Sequence, residues 1–384
     1  MSDHAADTLT YRGVHIAGIK DKRYDIEIRD GRFASVAESG RGESVPPPER
    51  ELWIGPGFID LHTHLAWTDF DHADQLKRDP QEVEAMQAEA FAATLRTGVT
   101  TARDAGGLAP AEVRQLTARY GVPLQVFSSG LMLGAAEAAD RSYLKRRLTE
   151  AFASGAEWVK IMATGGLGAP AETVLDPIFA EDDFALIVRE AHARGRKVLV
   201  HTWGGVTVEW AVQAGVESIE HGMFLEEDQA YRLAEAGVAL VPTASIYRIA
   251  ADPKGALALP PLINDRAARA AEAHTRAVGY ARRAGVRIGF GTDYATPALH
   301  GRNLQELDTL MDCGLTRAEA WRAATSDAAA ILGAEGGLGR IAEGCQADAV
   351  IYDADPFQAP NADALRRSIA AVVKNGRVVA NGEQ

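Results

Sequence analysis

Between about residue 56 and residue 335, short apolar runs alternate with longer stretches whose apolar positions recur every three or four residues. The runs at 58–61, 99–103, 124–127, 159–162, 198–200, 218–220, 239–241 and 288–291 read as buried strands. The stretches at 81–97, 109–120, 142–154, 181–194, 206–214, 226–236, 265–284 and 302–313 read as amphipathic helices. Gly98, Gly121, Gly155, Gly195, Gly215, Gly237 and Gly285 close helical stretches, each just ahead of the next strand. Glycine past a helix end takes the left-handed conformation at little cost. Thr316-Arg317-Ala318-Glu319 is a capping box that opens a further helix. Eight strand-then-helix units in this order predict an α/β fold, a (β/α)8 TIM barrel.

The two ends of the chain carry a different period. Residues 14–16, 24–28 and 32–36 alternate apolar and polar, with the turn pair Asp30-Gly31 between the last two. Residues 349–352 form another apolar run, and 371–373 turns through Asn375-Gly376 into 377–379. Residues 39–50, with Gly40, Gly42 and Pro46-Pro47-Pro48, read as a surface loop. Short strands flanking a long middle predict a small β-sandwich domain formed by both chain termini, from 1–55 and 340–384, beside a barrel of 56–339.

Bulk composition narrows the function classes. The 384 residues are 47% hydrophobic and 24% charged, an ordinary globular balance. A formal net charge of −13 argues against a nucleic-acid partner, which needs a basic surface. Two cysteines, Cys313 and Cys345, allow one disulfide at most. Met1-Ser2-Asp3-His4 lacks the basic and apolar regions of a signal peptide. No apolar run approaches the roughly 18–20 residues needed to cross a bilayer. The expectation is a soluble, cytoplasmic protein with no membrane partner.

In such barrels the chemistry lies at the carboxyl ends of the strands. His62 and His64 follow the first strand; two positions apart, they project to one side. Lys160 lies in the fourth strand, within Trp158-Val159-Lys160-Ile161-Met162. His201 ends the fifth strand, His221 the sixth, and Asp293 follows the eighth in Gly291-Thr292-Asp293. Imidazole nitrogen is a common ligand for zinc-like ions. A buried ammonium in an apolar strand is costly, and it has no lone pair for a metal. Carboxylation by CO2 would turn Lys160 into an anion with two oxygens, able to bridge two cations.

These positions resemble the amidohydrolase superfamily. Its binuclear members carry His-x-His after strand 1, a carboxylated lysine on strand 4, histidines after strands 5 and 6 and an aspartate after strand 8. Thr101 to Gly107, Lys160 to Gly166, Ser218 to Gly222, Gly291 to Asp293, His300 to Leu307 and Gly337 to Val350 carry the similarity. They look most similar to the branch of imidazolonepropionase-related enzymes, prolidase-like dipeptidases and ochratoxinase-type amidases. Two departures bear on specificity. Deaminase-type relatives place Glu or Gln three residues after the strand-5 histidine, whereas here the segment reads His201-Thr202-Trp203-Gly204. Dipeptidase-like members often carry Gly-Gly-His after strand 3, whereas here Ser128-Ser129-Gly130 stands there.

The resemblance implies two divalent ions, with zinc expected: one on His62, His64 and Asp293, one on His201 and His221, and N6-carboxylysine at Lys160 between them. It implies attack of a shared hydroxide on an amide carbonyl, with Asp293, Lys160 and His221 in the catalytic set and Asp293 shuttling the proton. The substrate would be a small-molecule amide: an N-acyl amino acid, a dipeptide or an amino-acid-conjugated aryl amide. Tyr247, Arg248 and His300 lie in the strand-end loops; Arg248 or His300 is expected to bind a substrate carboxylate, with Tyr247 alongside. Arg103 is expected in a supporting salt bridge. The competing readings are a deaminase or cyclic-amide hydrolase on the same fold and a metal-free scaffold. Relatives of this kind often assemble, so a homo-oligomer is also among the expectations.

Overall fold

A computed structural model describes residues 8–40, 51–70, 72–168, 174–255, 257 and 259–381. The N-terminal stretch from Met1 to His4 and the expected proline-rich loop, from residue 41 onward, lie outside the described residues. Fifteen strands follow in chain order. They are β1 (Leu9–Ile16), β2 (Tyr24–Arg29), β3 (Arg32–Glu38), β4 (Trp53–Pro56), β5 (Phe58–Thr63), β6 (Val99–Asp104), β7 (Gln125–Ser128), β8 (Met132–Leu133), β9 (Trp158–Met162), β10 (Lys197–Gly204), β11 (Ser218–Phe224), β12 (Ala239–Val241), β13 (Ala349–Tyr352), β14 (Ile369–Lys374) and β15 (Arg377–Asn381).

The middle of the chain is α/β with parallel strands. β5-β6-β7 form one parallel sheet and β8 to β12 another, in sequence order. Helices Pro80–Arg96, Pro110–Tyr120, Arg141–Ala153, Glu181–His192, Val206–Ala214, Glu227–Ala236 and Pro261–Ala284 fall where the period of three to four places them. Thr316 accepts from Glu319 N and caps helix Arg317–Ala323, as the capping box implies. Phe91, Leu95, Leu116, Leu144, Leu148, Phe184, Ile187 and Leu233 from these helices pack on Phe58, Val99, Val159, Val198, Val200 and Leu240 of the strands. A second cluster joins Ile59, Leu61, Trp158, Leu199 and Val241 to Ala328, Ile331 and Leu332 of helix Ser326–Leu332. Buried apolar side chains on both strand faces explain the near-continuous apolar runs in the sequence.

Two details depart from the expected ring of eight. β8, unanticipated, supplies the pairing partner of β9. Residues 288–291 form no ladder strand: a single bridge joins Ile288 to Leu240, and Leu61 N donates to Phe290 O at 2.8 Å. The segment still bonds both neighbours, with Gly289 N donating to Leu240 O at 2.8 Å and Thr292 N to His62 O at 2.9 Å, and it is packed closely at Gly289 and Gly291. They let this segment press against β5 and the neighbouring side chains, where an added Cβ at Gly289 would lie 2.4 Å from Leu61 Cδ1.

Both termini meet in one mixed seven-stranded sheet of order β15-β14-β13-β4-β1-β2-β3. β1 pairs with β2 through Leu9–Val14 and with β4 through His15 and Ile16, with an irregularity between Tyr11 and Val14, so it links a β1-β2-β3 part to a β1-β4-β13-β14-β15 part. Both turn residues of each hairpin are left-handed, with φ of 51° and 75° at Asp30 and Gly31 and 49° and 76° at Asn375 and Gly376. That is the backbone of the two-residue turns such pairs favour. Ile26, Ile28, Phe33, Ile54, Ile351 and Val373 fill the core of this sheet. Cys313 and Cys345 are buried free thiols. No helix among the described residues is long and apolar enough to cross a membrane.

A buried ion pair pins the sheet to the parallel strands. Lys374 Nζ donates to Asp348 Oδ2 at 2.6 Å and to Gln125 Oε1, on β7, at 3.0 Å. Burial lowers the Lys374 pKa, and Asp348 opposes that shift. Asp348→Ala would leave the ammonium buried without a counter-charge, so a loss of about 3–5 kcal/mol in urea unfolding is expected.

Candidate active site

The six residues from the strand ends converge at the carboxyl-terminal side of the parallel strands. Asp293 Oδ1 lies 3.2 Å from His64 Nε2 and 3.4 Å from His62 Nε2. Lys160 Nζ lies 3.4 Å from His62 Nε2. The His221 ring centroid is 5.0 Å from that of His62 and 4.5 Å from that of His201. Ligand atoms of His62, His221 and Asp293 fall within 4.8 Å of one another.

Each imidazole is held by one nitrogen; His62 and His64 turn the other, Nε2, to Asp293, whereas His221 faces Asp293 Oδ2 with Nδ1, at 3.9 Å. His62 Nδ1 donates to Glu220 Oε2 at 2.5 Å, and His64 Nδ1 to Gly106 O at 3.0 Å. His201 Nε2 donates to Gly165 O at 3.2 Å, so its free lone pair is on Nδ1. His221 Nδ1 bonds Thr243 Oγ1 at 2.7 Å. A donor tied back to protein fixes the tautomer and aim of a metal-binding imidazole. Among the described residues, His62, His221 and Asp293 thus form a group that could hold a metal ion, with His64, His201 and Lys160 nearby.

Burial disfavours the charged form of two of these rings. Burial lowers the His201 pKa to about 3 and takes His221 well below its usual value. Burial would raise the Asp293 carboxyl, but the imidazoles of His62, His64 and His221 outweigh it and hold the group well below the ordinary range. Burial brings Lys160 down to about 8.

The local backbone is unusual at the same place. His221, Thr243 and Asp293 have φ of 71°, 51° and 56°, in a region that residues other than glycine enter rarely. Such conformations persist where surrounding bonds over-determine them. Here Asp293 N and Thr292 N both donate to His62 O, at 2.6 and 2.9 Å. Asp60 accepts from His62 N, Thr292 N, Thr292 Oγ1 and Asn303 Nδ2, locking β5 to the segment that carries Asp293. The contact between these segments requires Gly291, where an added Cβ would lie 2.5 Å from Val241 Cγ1 and 2.9 Å from His62 Cβ. Gly291→Ala is expected to cost about 1–3 kcal/mol through overpacking and to lower bound metal, as thermal melting and elemental analysis would read.

Glu220 and its partners were not legible as a functional group. Arg103 donates to Glu220 Oε1 at 2.8 Å, to Leu61 O at 2.6 Å and to Ser218 Oγ at 3.1 Å, and its guanidinium lies 4.4 Å from the Trp158 ring centre. Arg103 thus sits in the salt bridge expected of it. Burial would raise the Glu220 carboxyl, yet Arg103 and His62 outweigh it and hold it at about 2. Strand alternation sets neighbouring residues 220 and 221 on opposite sides; the left-handed turn at His221 brings both to His62. The available signal was opposite charges inside two apolar strands, which must pair when buried.

Of the three residues expected to meet substrate, one lines the cavity. Tyr247 does, with its ring 5.8 Å from that of His221. Arg248 is turned away: it donates to Asp312 Oδ2 at 2.6 Å, because successive residues of helix Ala244–Ala251 face different sides. His300 lies outside the site cavity and lines a second one. The site opens into a space of ≈ 320 Å³ walled by Trp67, Phe70, Met132, Met162, Leu167 and Leu299, among other apolar residues. Trp67 stacks on His64 with ring centres 4.0 Å apart. Among the described lining residues, Lys160 and Asp293 are the only lysine, arginine or carboxylate side chains.

Parallel strands that present oriented imidazoles and a carboxylate to an apolar cavity define a hydrolase-type α/β site. The chain belongs to the Amidohydrolase family, whose model matches residues 53–379. It is a hydrolase acting on C–N bonds, of a family that is typically metal-dependent. An uncharacterized protein from Mycobacterium tuberculosis is 30% identical over 370 residues, covering 90% of this chain and 91% of that one. Ochratoxinase from Aspergillus niger is 26% identical over 428 residues, covering 98% and 87%. A crystal structure of a prolidase complexed with N-methylphosphonate-L-proline aligns with a TM-score of 0.86 and 25% identity, over 97% of this chain and 100% of that one.

Proposed function

We propose that this protein hydrolyses the amide of a small molecule whose acyl part is apolar or aromatic, such as an N-acyl amino acid or an aryl amide joined to an amino acid. The observation that carries the proposal is the cavity: its walls beyond the polar cluster are apolar side chains, with no arginine among the described lining residues. An aryl group has complementary surface there, and burial of such surface contributes about 25 cal/mol per Å². The similarity to ochratoxinase supports the aryl amide.

His62, His64 and Asp293 would hold one divalent cation and His201 and His221 a second, with Lys160 between them as N6-carboxylysine. Zinc suits a nitrogen-rich set. When bound, such ions supply Lewis acidity that polarises an amide carbonyl and acidifies water. Asp293 accepts the proton of the attacking water and delivers it to the leaving nitrogen, a poor leaving group until protonated. Its side chain is 21% exposed where His62 is 1%, so it meets the cavity from which substrate arrives. His221, held by Thr243, stands beside Asp293. Trp67, Phe70 and Met162 exclude water from the acyl side. The same reading takes β5, β6, β7, β9, β10, β11, β12 and the 288–291 segment as the eight members of one closed barrel, with the terminal sheet as a second domain. Its setting is taken to be cytoplasmic, with no nucleic-acid or membrane partner.

Metal analysis and a library screen test the proposal together. Two metal equivalents per chain, with acid and amine released from N-acyl and aryl-amide substrates, are expected. Ammonia release from a ring substrate without amide cleavage would replace the proposal with a deaminase; a metal-free, inert protein would replace it with a scaffold.

A further inference from the structure

A second cavity, of ≈ 470 Å³, lies where helix Pro80–Arg96, the segment 297–302 and the end of helix Ala362–Arg367 meet. Four arginines line it: Arg96, Arg302, Arg366 and Arg367. Glu89 is the only acidic side chain among its described lining residues, and it is paired with Arg96. Arg302 and Arg367 are exposed and form no ion pair with any described residue. On a chain of net charge −13, four guanidiniums around one hollow are a local inversion of sign. His300 lines the same cavity and is 5% exposed, with its ring against the His64 backbone.

The cavity shares a wall with the candidate active site. Along one segment, Ala295, Thr296 and Leu299 line the site cavity, while Pro297, Ala298, His300, Gly301 and Arg302 line the basic one. Asp293 stands at one end of that segment, and Asn303 at the other donates to Asp60 Oδ2 at 2.9 Å.

We propose that this hollow, formed by Arg96, Arg302, Arg366 and Arg367, binds a small multivalent oxyanion and so sets the position of segment 295–302 beside the active site. Guanidinium groups bind phosphate and carboxylate oxygens through paired N–H donors, which suits a phosphate ester or a polycarboxylate. The exposed rim makes such binding sensitive to salt. The site stands apart from the metal-ligand residues, and its tests do not use amide hydrolysis, so either proposal can fail alone.

The test is calorimetric titration of the full chain at low ionic strength, with inorganic phosphate in one arm and tricarballylate in the other. Saturable binding of one equivalent is expected, tighter for the phosphate-ester class if phosphate prevails and for polycarboxylates if tricarballylate does. The double variant Arg302→Gln/Arg367→Gln removes two exposed cations outside the catalytic machinery. It should weaken binding by about tenfold or more, the loss expected for charge-assisted hydrogen bonds, with an unchanged circular dichroism spectrum. Hydrogen exchange across 294–303 should slow in the parent on adding the bound anion. No binding in either arm, or undiminished binding by the double variant, would overturn the site. Binding without slowed exchange there would overturn the link to the active site.

Discussion

Replacing Asp293 with asparagine is expected to reduce amide turnover by about 10²–10⁴-fold, the range for loss of a positioned acid–base group. The carboxylate can accept and return a proton, and at 21% it is more exposed to the cavity than the side chains of His62, His64 or His221. Asparagine retains the size and one oxygen near His62 and His64 but cannot be protonated at neutral pH. The left-handed backbone at this position, φ 56°, is tolerated better by asparagine than by most residues, so the fold should persist. Rate and metal content measured together make the test sharp. A large rate loss with metal retained supports the proton shuttle; unchanged turnover would remove Asp293 from the chemistry.

The second large effect is expected at Glu220, which never meets the cavity. Its two oxygens serve different partners: Oε1 takes Arg103 and Ser218, and Oε2 takes His62 Nδ1. Glu220→Gln replaces one acceptor oxygen with a donor and removes the counter-charge of a guanidinium that is fully buried. Breaking a buried pair on one side costs about 3–5 kcal/mol. Loss of the carboxylate behind a metal-binding imidazole typically costs about 10–100-fold in metal affinity. The two consequences separate in the double variant Arg103→Met/Glu220→Gln. Thermal melting should recover much of the stability, whereas metal titration should still show weakened binding. If metal affinity recovered as well, the effect would be one of folding rather than of orienting His62.

The sequence carried most of the layout because its signals were local. Parallel strands buried on both faces leave apolar runs, and helix ends leave glycines, so the order of strands and helices could be read directly. His62, His64, Lys160, His201, His221 and Asp293 could be picked out because polar residues at the ends of apolar strands are out of place. What could not be read depends on the third dimension. Arg248 was a plausible cation for a substrate carboxylate until the helix phase turned it toward Asp312. His300 lies in the right segment but on its far side. The role of Glu220 depends on a left-handed backbone at His221, which no alternation rule foresees. The eighth segment keeps backbone bonds to β12 and β5 with a single bridge in place of a regular ladder, a detail of pairing that an apolar run does not encode.

The terminal sheet carries a consequence for how the protein is made. β4 pairs with β1 on one side and with β13 on the other, and β13 begins at Ala349. A ribosome therefore releases β1 to β4 and almost the entire parallel-strand region before the strand that covers β4 exists. Through that interval β4 presents an unpaired edge, the feature that invites pairing with a neighbouring chain. Nascent chains stalled or cleaved before β13 should aggregate, while chains that reach β15 close the edge and add the buried Lys374–Asp348 pair. Protection of newborn chains thus rests on the speed with which the last strands arrive, and a carboxyl-terminal nonsense codon would be far more damaging than the few residues it removes suggest.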